Sequence, residues 1–439
     1  MNFSRLFCMI SILLLLVSSG CSSKKTTVAG EPVVQKAVPK VEVKDIKPET
    51  IPLAPLKEKQ DIAPIPEVVK KEEAPLNNVI GCLLPLSGRY AEYGSKSLDA
   101  ILLAAGIFNP QKKVPWKIVI RDSGGIPENT RAAVADLAEK EKVIAIVAVA
   151  GATDAADAAQ EAELRKVPLI LIAAREGLTA TTNYVFQHFL TATQQARALV
   201  KYALNDMNCG IHAILYPKDD YGQEMVKVFR MEADKIGGKV ERAISYGKNQ
   251  TDFTEEINKV SGYAISAAKA AAAGKTESKT KIAVDFEALF IPDSDVRVKM
   301  IASQLAFYDV KGIHLLGTSL WNSPDLLKKN VEPLEGAVFV DSFFTGSFYP
   351  ETNDFMDIYY TSYRREPENI EALAYDTAGI VISVLEDYRI GTREQFAEAL
   401  RKVENYQGVT GRVSFGEDGV AQKTPFIIKV INGKLRQVK

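Results

Sequence analysis

The sequence predicts an α/β protein: two doubly wound parallel-sheet lobes preceded by a disordered stalk. Three observations predict it. A Pro-, Lys- and Glu-rich stretch without aromatic residues gives way near Asn78 to short apolar runs. Those runs alternate with amphipathic stretches of helical period, and the alternation runs through two successive segments of about 120 residues each. Continuous apolar runs read as strands buried on both faces. Strand–helix alternation implies parallel strands with right-handed crossovers and helices on both faces. At 439 residues the chain suits two or three compact units. Its 54 Lys+Arg against 55 Asp+Glu leave no global field to steer it to nucleic acid. Three His and four Cys leave little room for a metal cluster or a disulfide scaffold, and no cofactor or metal is expected.

The first residues read as an address. Arg5 precedes an apolar run from Leu6 to Val17. Its twelve residues rise only about 18 Å as a helix against roughly 30 Å of hydrocarbon, which suits a signal peptide rather than a span. Residues 22–78 read as a tether. Eight prolines lie between Pro32 and Pro75, with ten Lys and nine acidic residues between Cys21 and Asn78. Such a segment buries too little to offset its ordering entropy. In extended polyproline geometry it reaches on the order of 150 Å.

Val79 to Leu84 is the first expected strand, followed by a turn at Pro85-Leu86-Ser87-Gly88 and a helix with Leu98, Ile101, Leu102, Ala105 and Phe108 on one face. Strands are expected at 117–120, 143–149, 167–172 and 184–189, with helices at 130–140 and 154–164. The second segment has helices at 194–206, 222–236, 253–273 and 296–307, and strands at 211–216, 240–246, 288–291 and 313–316. Helices dominate residues 354–403, and short strands close the chain at 412–414 and 425–430. Cys82 and Cys209 are expected to be free or buried thiols. Asp122-Ser123-Gly124-Gly125 has the letters of a serine nucleophile loop, but His188, His212 and His314 show no paired carboxylate pattern, so no enzyme is expected.

Two resemblances follow from these residues. Ser18-Ser19-Gly20-Cys21 resembles the bacterial lipoprotein cleavage box, which implies lipidation at Cys21 and a periplasmic, lipid-anchored location, with Ser22 pointing to the outer membrane. The second is carried by residues 84–94 (LPLSGRYAEYG), 216–222 (YPKDDYG), 251–253 (TDF), 372–376 (ALAYD) and 408–415 (GVTGRVSF). Their order resembles the type I periplasmic binding proteins, the Leu/Ile/Val-binding family. The resemblance implies two lobes joined by a three-strand hinge, with a small solute, amino-acid-like or carboxylate-bearing, held between them. It implies lobe 1 at 79–190 and 335–405 and lobe 2 at 191–334 and 406–439. Residues 289–295, 304–308 and 316–319 further resemble the penicillin-binding-protein activator branch. The implied partners are an ABC permease or a cell-wall synthase.

By the same resemblance, Ser87, Tyr93, Thr153, Arg175, Tyr221, Asp293 and Ser319 are the candidate ligand-binding residues. Tyr93 and Tyr221 match tyrosines that line the cleft. Thr153 is the hydroxyl left before a helix. Arg175 stands where the family has a carboxylate-binding threonine, and a guanidinium there suits a carboxylate or phosphate; the alternative is an Arg175–Glu176 region paired internally at the hinge beside an empty or vestigial cleft. Ser319 falls on or near the ammonium-binding glutamate, with Asp293 and Asp295 placed to substitute. Trp116 and Trp321 read as packing residues, with a place at the cleft as the alternative for Trp321, two residues beyond Ser319.

Overall fold

The computed structural model describes residues 76–107, 114–262, 284–329, 331–387 and 389–439. The signal segment, Cys21, residues 22–75 of the tether and most of the helix expected at 253–273 lie outside the described residues, and the tether's expected last residues, 76–78, belong instead to the first strand. Residues 70–439 form one unit by their contacts.

The first sheet is parallel throughout, in the order β2-β1-β3-β4-β5. Its strands are β1 (Leu76–Leu84), β2 (Lys117–Asp122), β3 (Val143–Val149), β4 (Leu169–Ile172) and β5 (Val185–Gln187). Every residue of β3 and β4 is buried, as their unbroken apolar runs require. Helices α1 (Ala91–Ala104), α2 (Pro127–Glu139) and α3 (Ala155–Leu164) connect them.

The chain then enters a second sheet through α4 (Ala192–Asp206), where Thr191 and Gln194 form a capping box. This sheet runs β15-β14-β10-β9-β8-β6-β7. Its parallel strands are β6 (Ile211–Pro217), β7 (Lys239–Tyr246), β8 (Ala288–Phe290), β9 (His314–Gly317) and β10 (Val338–Asp341). Helices α5 (Asp220–Lys235), α6 (Thr254–Ser261) and α7 (Asp295–Phe307) cover it. From β10 the chain returns to the first lobe as α8 (Pro350–Tyr363), α9 (Asn369–Asp387) and α10 (Arg393–Arg401). A small antiparallel sheet of β11 (Tyr406–Gly408), β12 (Gly411–Phe415) and β13 (Ala421–Lys423) follows. Finally β14 (Phe426–Ile431) and β15 (Lys434–Gln437) add antiparallel strands to the second sheet.

Two apolar clusters flank each sheet, so each lobe has its own core. Val409, Val413, Phe415 and Ala421 pack into a cluster of the first lobe, whereas Phe426, Ile428 and Val430 pack into one of the second. The chain therefore crosses between lobes at 188–191, 342–349 and 424–425. The last two crossovers correct the expected boundaries: residues 335–341 belong to the second sheet, and residues 406–423 to the first core. Partners far along the chain decide both. Val338 and Phe339 pair with Leu316 and Gly317, and Val409 and Thr410 are fixed to Asp376 of α9.

Cys82 and Cys209 are free and buried. Among the described residues no helix is long and apolar enough to cross a membrane.

Candidate functional site

Open α/β sheets bind ligands beyond the carboxyl ends of their strands, where the strand order reverses. In the first sheet that point lies between β1 and β3. The loops leaving these strands, together with those leaving β4, β9 and β10, line one cleft of about 1020 Å³ between the lobes. The β1 loop is built by Asp122, whose Oδ1 accepts N–H bonds from Leu86 at 2.8 Å, Ser87 at 3.2 Å and Gly124 at 2.8 Å. Burial works against this carboxylate, but the donors outweigh it and hold its pKa below the usual range. The serine-like loop is thus a turn brace. Gly94 follows from the same packing: a Cβ there would lie 2.2 Å from the Pro85 carbonyl oxygen.

Two of the seven expected side chains, Tyr93 and Ser319, line the cleft from opposite lobes. Tyr93 is 54 % exposed, and the Ser319 N–H donates to Gln195 Oε1 at 3.0 Å. The other five are placed elsewhere. Ser87 serves Asp122, and Thr153 is exposed outside the lining. Tyr221 leaves its ring 37 % exposed but donates its hydroxyl to Thr318 Oγ1 at 3.1 Å; burial of that end pushes the phenol up to about 12. Asp293 Oδ2 accepts the Tyr246 hydroxyl at 2.7 Å, and burial raises the Tyr246 phenol. Arg175 lines a separate pocket of about 350 Å³ with Gln160, Glu163 and Glu176. Its loop turns that way because Gln187 Nε2 donates to the carbonyls of Ala173 and Arg175 at 2.7 and 2.8 Å. Trp321 is fully buried, its indole N–H on the Ile291 carbonyl at 3.1 Å, and does not reach the cleft.

The cleft's own polar group is one the sequence reading missed. Asp341 ends β10 at the second crossover and lines the cleft while only 3 % exposed. Its Oδ2 accepts Asn322 Nδ2 at 2.8 Å; its Oδ1 accepts the Ser342 N–H at 2.6 Å and Asn369 Nδ2. Burial pushes the carboxyl up to about 7 despite these donors. The available signal was an aspartate closing an apolar run, Val338-Phe339-Val340-Asp341. Tyr90, Phe189, Phe343 and Phe344 add aromatic walls.

Behind the cleft each crossover contributes one ionisable side chain: His188, Asp341 and Lys423. Lys423 Nζ lies 3.0 Å from His188 Nε2 and donates to Thr410 Oγ1. His188 Nδ1 lies 2.8 Å from Thr377 Oγ1, whose hydroxyl donates to the Leu373 carbonyl at 2.6 Å. This chain fits a neutral imidazole that accepts from the ammonium and donates to Thr377. Burial, then the Lys423 charge, keeps the His188 pKa well below its ordinary value. Asp376 accepts the N–H groups of Val409 and Thr410, both at 2.8 Å, and burial raises its pKa. Burial lowers Lys423 to about 8, with Asp376 and Asp341 opposing that shift.

The periplasmic binding protein family pattern matches residues 79–434. The chain belongs to that family. Its lobes have the type I periplasmic binding protein fold, shared with solved structures of Leu/Ile/Val-binding members. A putative branched-chain amino acid ABC transporter protein from Rhodospirillum rubrum is 20% identical, with a TM-score of 0.72, over 83% of this chain and all of that one. The branched-chain amino acid substrate-binding protein of Streptococcus pneumoniae, solved with isoleucine, is 24% identical, with a TM-score of 0.59, over 82% of this chain and 99% of that one. A solute-binding protein from Rhodopseudomonas palustris, solved with 3,4-dihydroxybenzoic acid, is 18% identical, with a TM-score of 0.60, over 82% and 95%. No curated protein matches the chain.

Proposed function

We propose that this periplasmic binding protein is a lipid-anchored receptor, tethered through Cys21 to the membrane, that closes its two lobes around a small solute for ABC-type transport or sensing. The observation that carries the reading is the cleft of about 1020 Å³ at the carboxyl ends of the parallel strands of both sheets, with three chain crossovers behind it. That architecture suits grasping, since a few crossover residues absorb the rotation of two rigid lobes. The names of the relatives, one solved with isoleucine and one with an aromatic acid, support an amino-acid-like or aromatic solute. The anchor rests on the lipoprotein-like Ser18–Cys21 box and favours the outer membrane.

The test is a thermal-shift and calorimetric screen with amino acids, short peptides, aromatic acids and aromatic amines. A solute that binds only the folded state raises its stability by mass action. Stabilisation by at least one solute is expected; a flat response across the screen would sink the receptor reading. Crosslinking in the periplasm is expected to recover a permease. Recovery of a cell-wall synthase instead would assign the output to regulation of wall synthesis.

A further inference from the structure

We infer that the solute is an organic cation, an ammonium on an apolar body, held between Asp341 and the aromatic walls of the cleft. The inference rests on the receptor reading and specifies its ligand class. The charged side chains lining the cleft are Asp341, Glu366 and Glu368; no Lys, Arg or His among the described residues lines it. Lys96 already pairs with Glu368 at 2.8 Å and with Glu92 at 2.7 Å, so the rim charge that stays unmatched belongs to Glu366. Arg175, the guanidinium expected to grip a carboxylate, faces the other pocket. Lys423 is engaged by His188 and Thr410 and does not line the cleft. A carboxylate entering here would meet like charge with no cation in the cleft lining to offset its desolvation.

Asp341 is a built acceptor rather than a stray charge. Asn322, Ser342 and Asn369 fix both of its oxygens at the cleft wall. The aromatic walls supply the second half of the recognition. Tyr93 and Phe189 line the same space, beside Phe343 and Phe344, whose rings pack mainly into the lobe cores, and cations are drawn to aromatic faces, more so when desolvated. Carboxylate plus aromatic rings, without a basic side chain, is the donor set for an ammonium or a quaternary amine.

Three probes of one shape but different poles decide the matter: phenethylamine, 3-phenylpropanoate and phenylalanine. They are titrated calorimetrically into the full chain carrying Cys21→Ser, near pH 8. Phenethylamine is expected to bind at least about tenfold more tightly than 3-phenylpropanoate. Asp341→Asn is expected to erase that preference, and Tyr93→Ala, at an exposed position, to weaken phenethylamine without unfolding the lobe. Glu366→Gln, also exposed, provides a second charge variant should Asp341→Asn fail to fold; a smaller loss of the same sign is expected. Tighter binding of 3-phenylpropanoate, or of phenylalanine with phenethylamine silent, overturns the cation inference and leaves the receptor reading intact. Equal binding of phenethylamine to wild type and to both charge variants also overturns it. Silence of all three probes together with the amino-acid screen defeats both.

Discussion

Asp341 shows how one residue couples packing to pH. Burial lifts its carboxyl from the ordinary 3.8 to about 7, against the pull of Asn322, the Ser342 and Phe343 backbone and the Lys423 charge. The folded state thus holds a proton that the unfolded chain releases near its ordinary value. Its contribution to stability is complete below about pH 4 and is lost as pH rises through about 7. Asp341→Asn removes that loss. Denaturant melts of wild type and variant should therefore diverge from about pH 4 to 7, the variant gaining relatively by up to a few kcal/mol at pH 8. The difference is the readout because Asp376, raised too, adds a slope of the same sign to both proteins. Parallel curves would mean that Asp341 titrates normally. Cation affinity has the opposite sign: it should fall as pH drops through about 7 and Asp341 takes up its proton, measured by titrating phenethylamine at pH 5.5 and 8.

At the scale of elements, the short motifs build frame. In both lobes a proline lies at or just after the end of the first strand, and a helix glycine sits against that proline's carbonyl: Gly94 against Pro85, Gly222 against Pro217. Asp219 caps α5 through the Gly222 N–H at 2.9 Å. A Cβ on Gly222 would lie 2.1 Å from the Pro217 oxygen, so Gly222→Ala should cost about 2–3 kcal/mol in a urea melt. Gly210→Ala, whose added Cβ meets nothing nearer than 3.5 Å, should stay within about 0.5 kcal/mol. Equal losses would refute the close-approach account. The activator-like stretches are also internal braces: Gln304 bonds the Phe253 N–H and the Thr251 carbonyl at 2.7 and 2.8 Å, and Tyr308 meets Thr254 at 2.6 Å. This explains what was legible. Strand–helix alternation is a local signal, and β1 to β9 follow from apolar runs and turns. Strand β10 is defined by partners far along the chain, as Phe339 is by Ile428, whereas β11 and β13 pair only with neighbouring β12 and carry no continuous apolar run. Lining the cleft depends on where a loop turns: Gln187 turns Arg175 away, while Asp341, in no recognised motif, arrives at its wall.

At the scale of the molecule, the hinge gives both lobes a shared polar interior. Lys423 sits among His188, Thr410, Asp376 and Asp341, so its ammonium offsets carboxylates that burial already strains. Removing one partner of a buried charge set leaves the other uncompensated and costs about 3–5 kcal/mol. Lys423→Met should lose about that much, and adding Asp376→Asn should recover part of it in the same melts; a neutral Lys423→Met would mean that the set carries no net coupling. The same substitution tests closure. Ligand moves the lobes only by its differential affinity for the closed state, so the free hinge must hold a populated open form. Spin labels on cysteines replacing Leu164 of the first lobe and Phe307 of the second, 71% and 80% exposed, report that angle. Cys82 and Cys209, at 0% and 3%, stay unlabelled, and Cys8 and Cys21 are replaced by Ser. A solute found in the screen should shift the Leu164→Cys/Phe307→Cys distance distribution. Lys423→Met should broaden the ligand-free distribution, because the three crossovers lose the side chain that joins them. A distribution unmoved by a bound solute would mean that the lobes are one rigid body and that the cleft binds without closing.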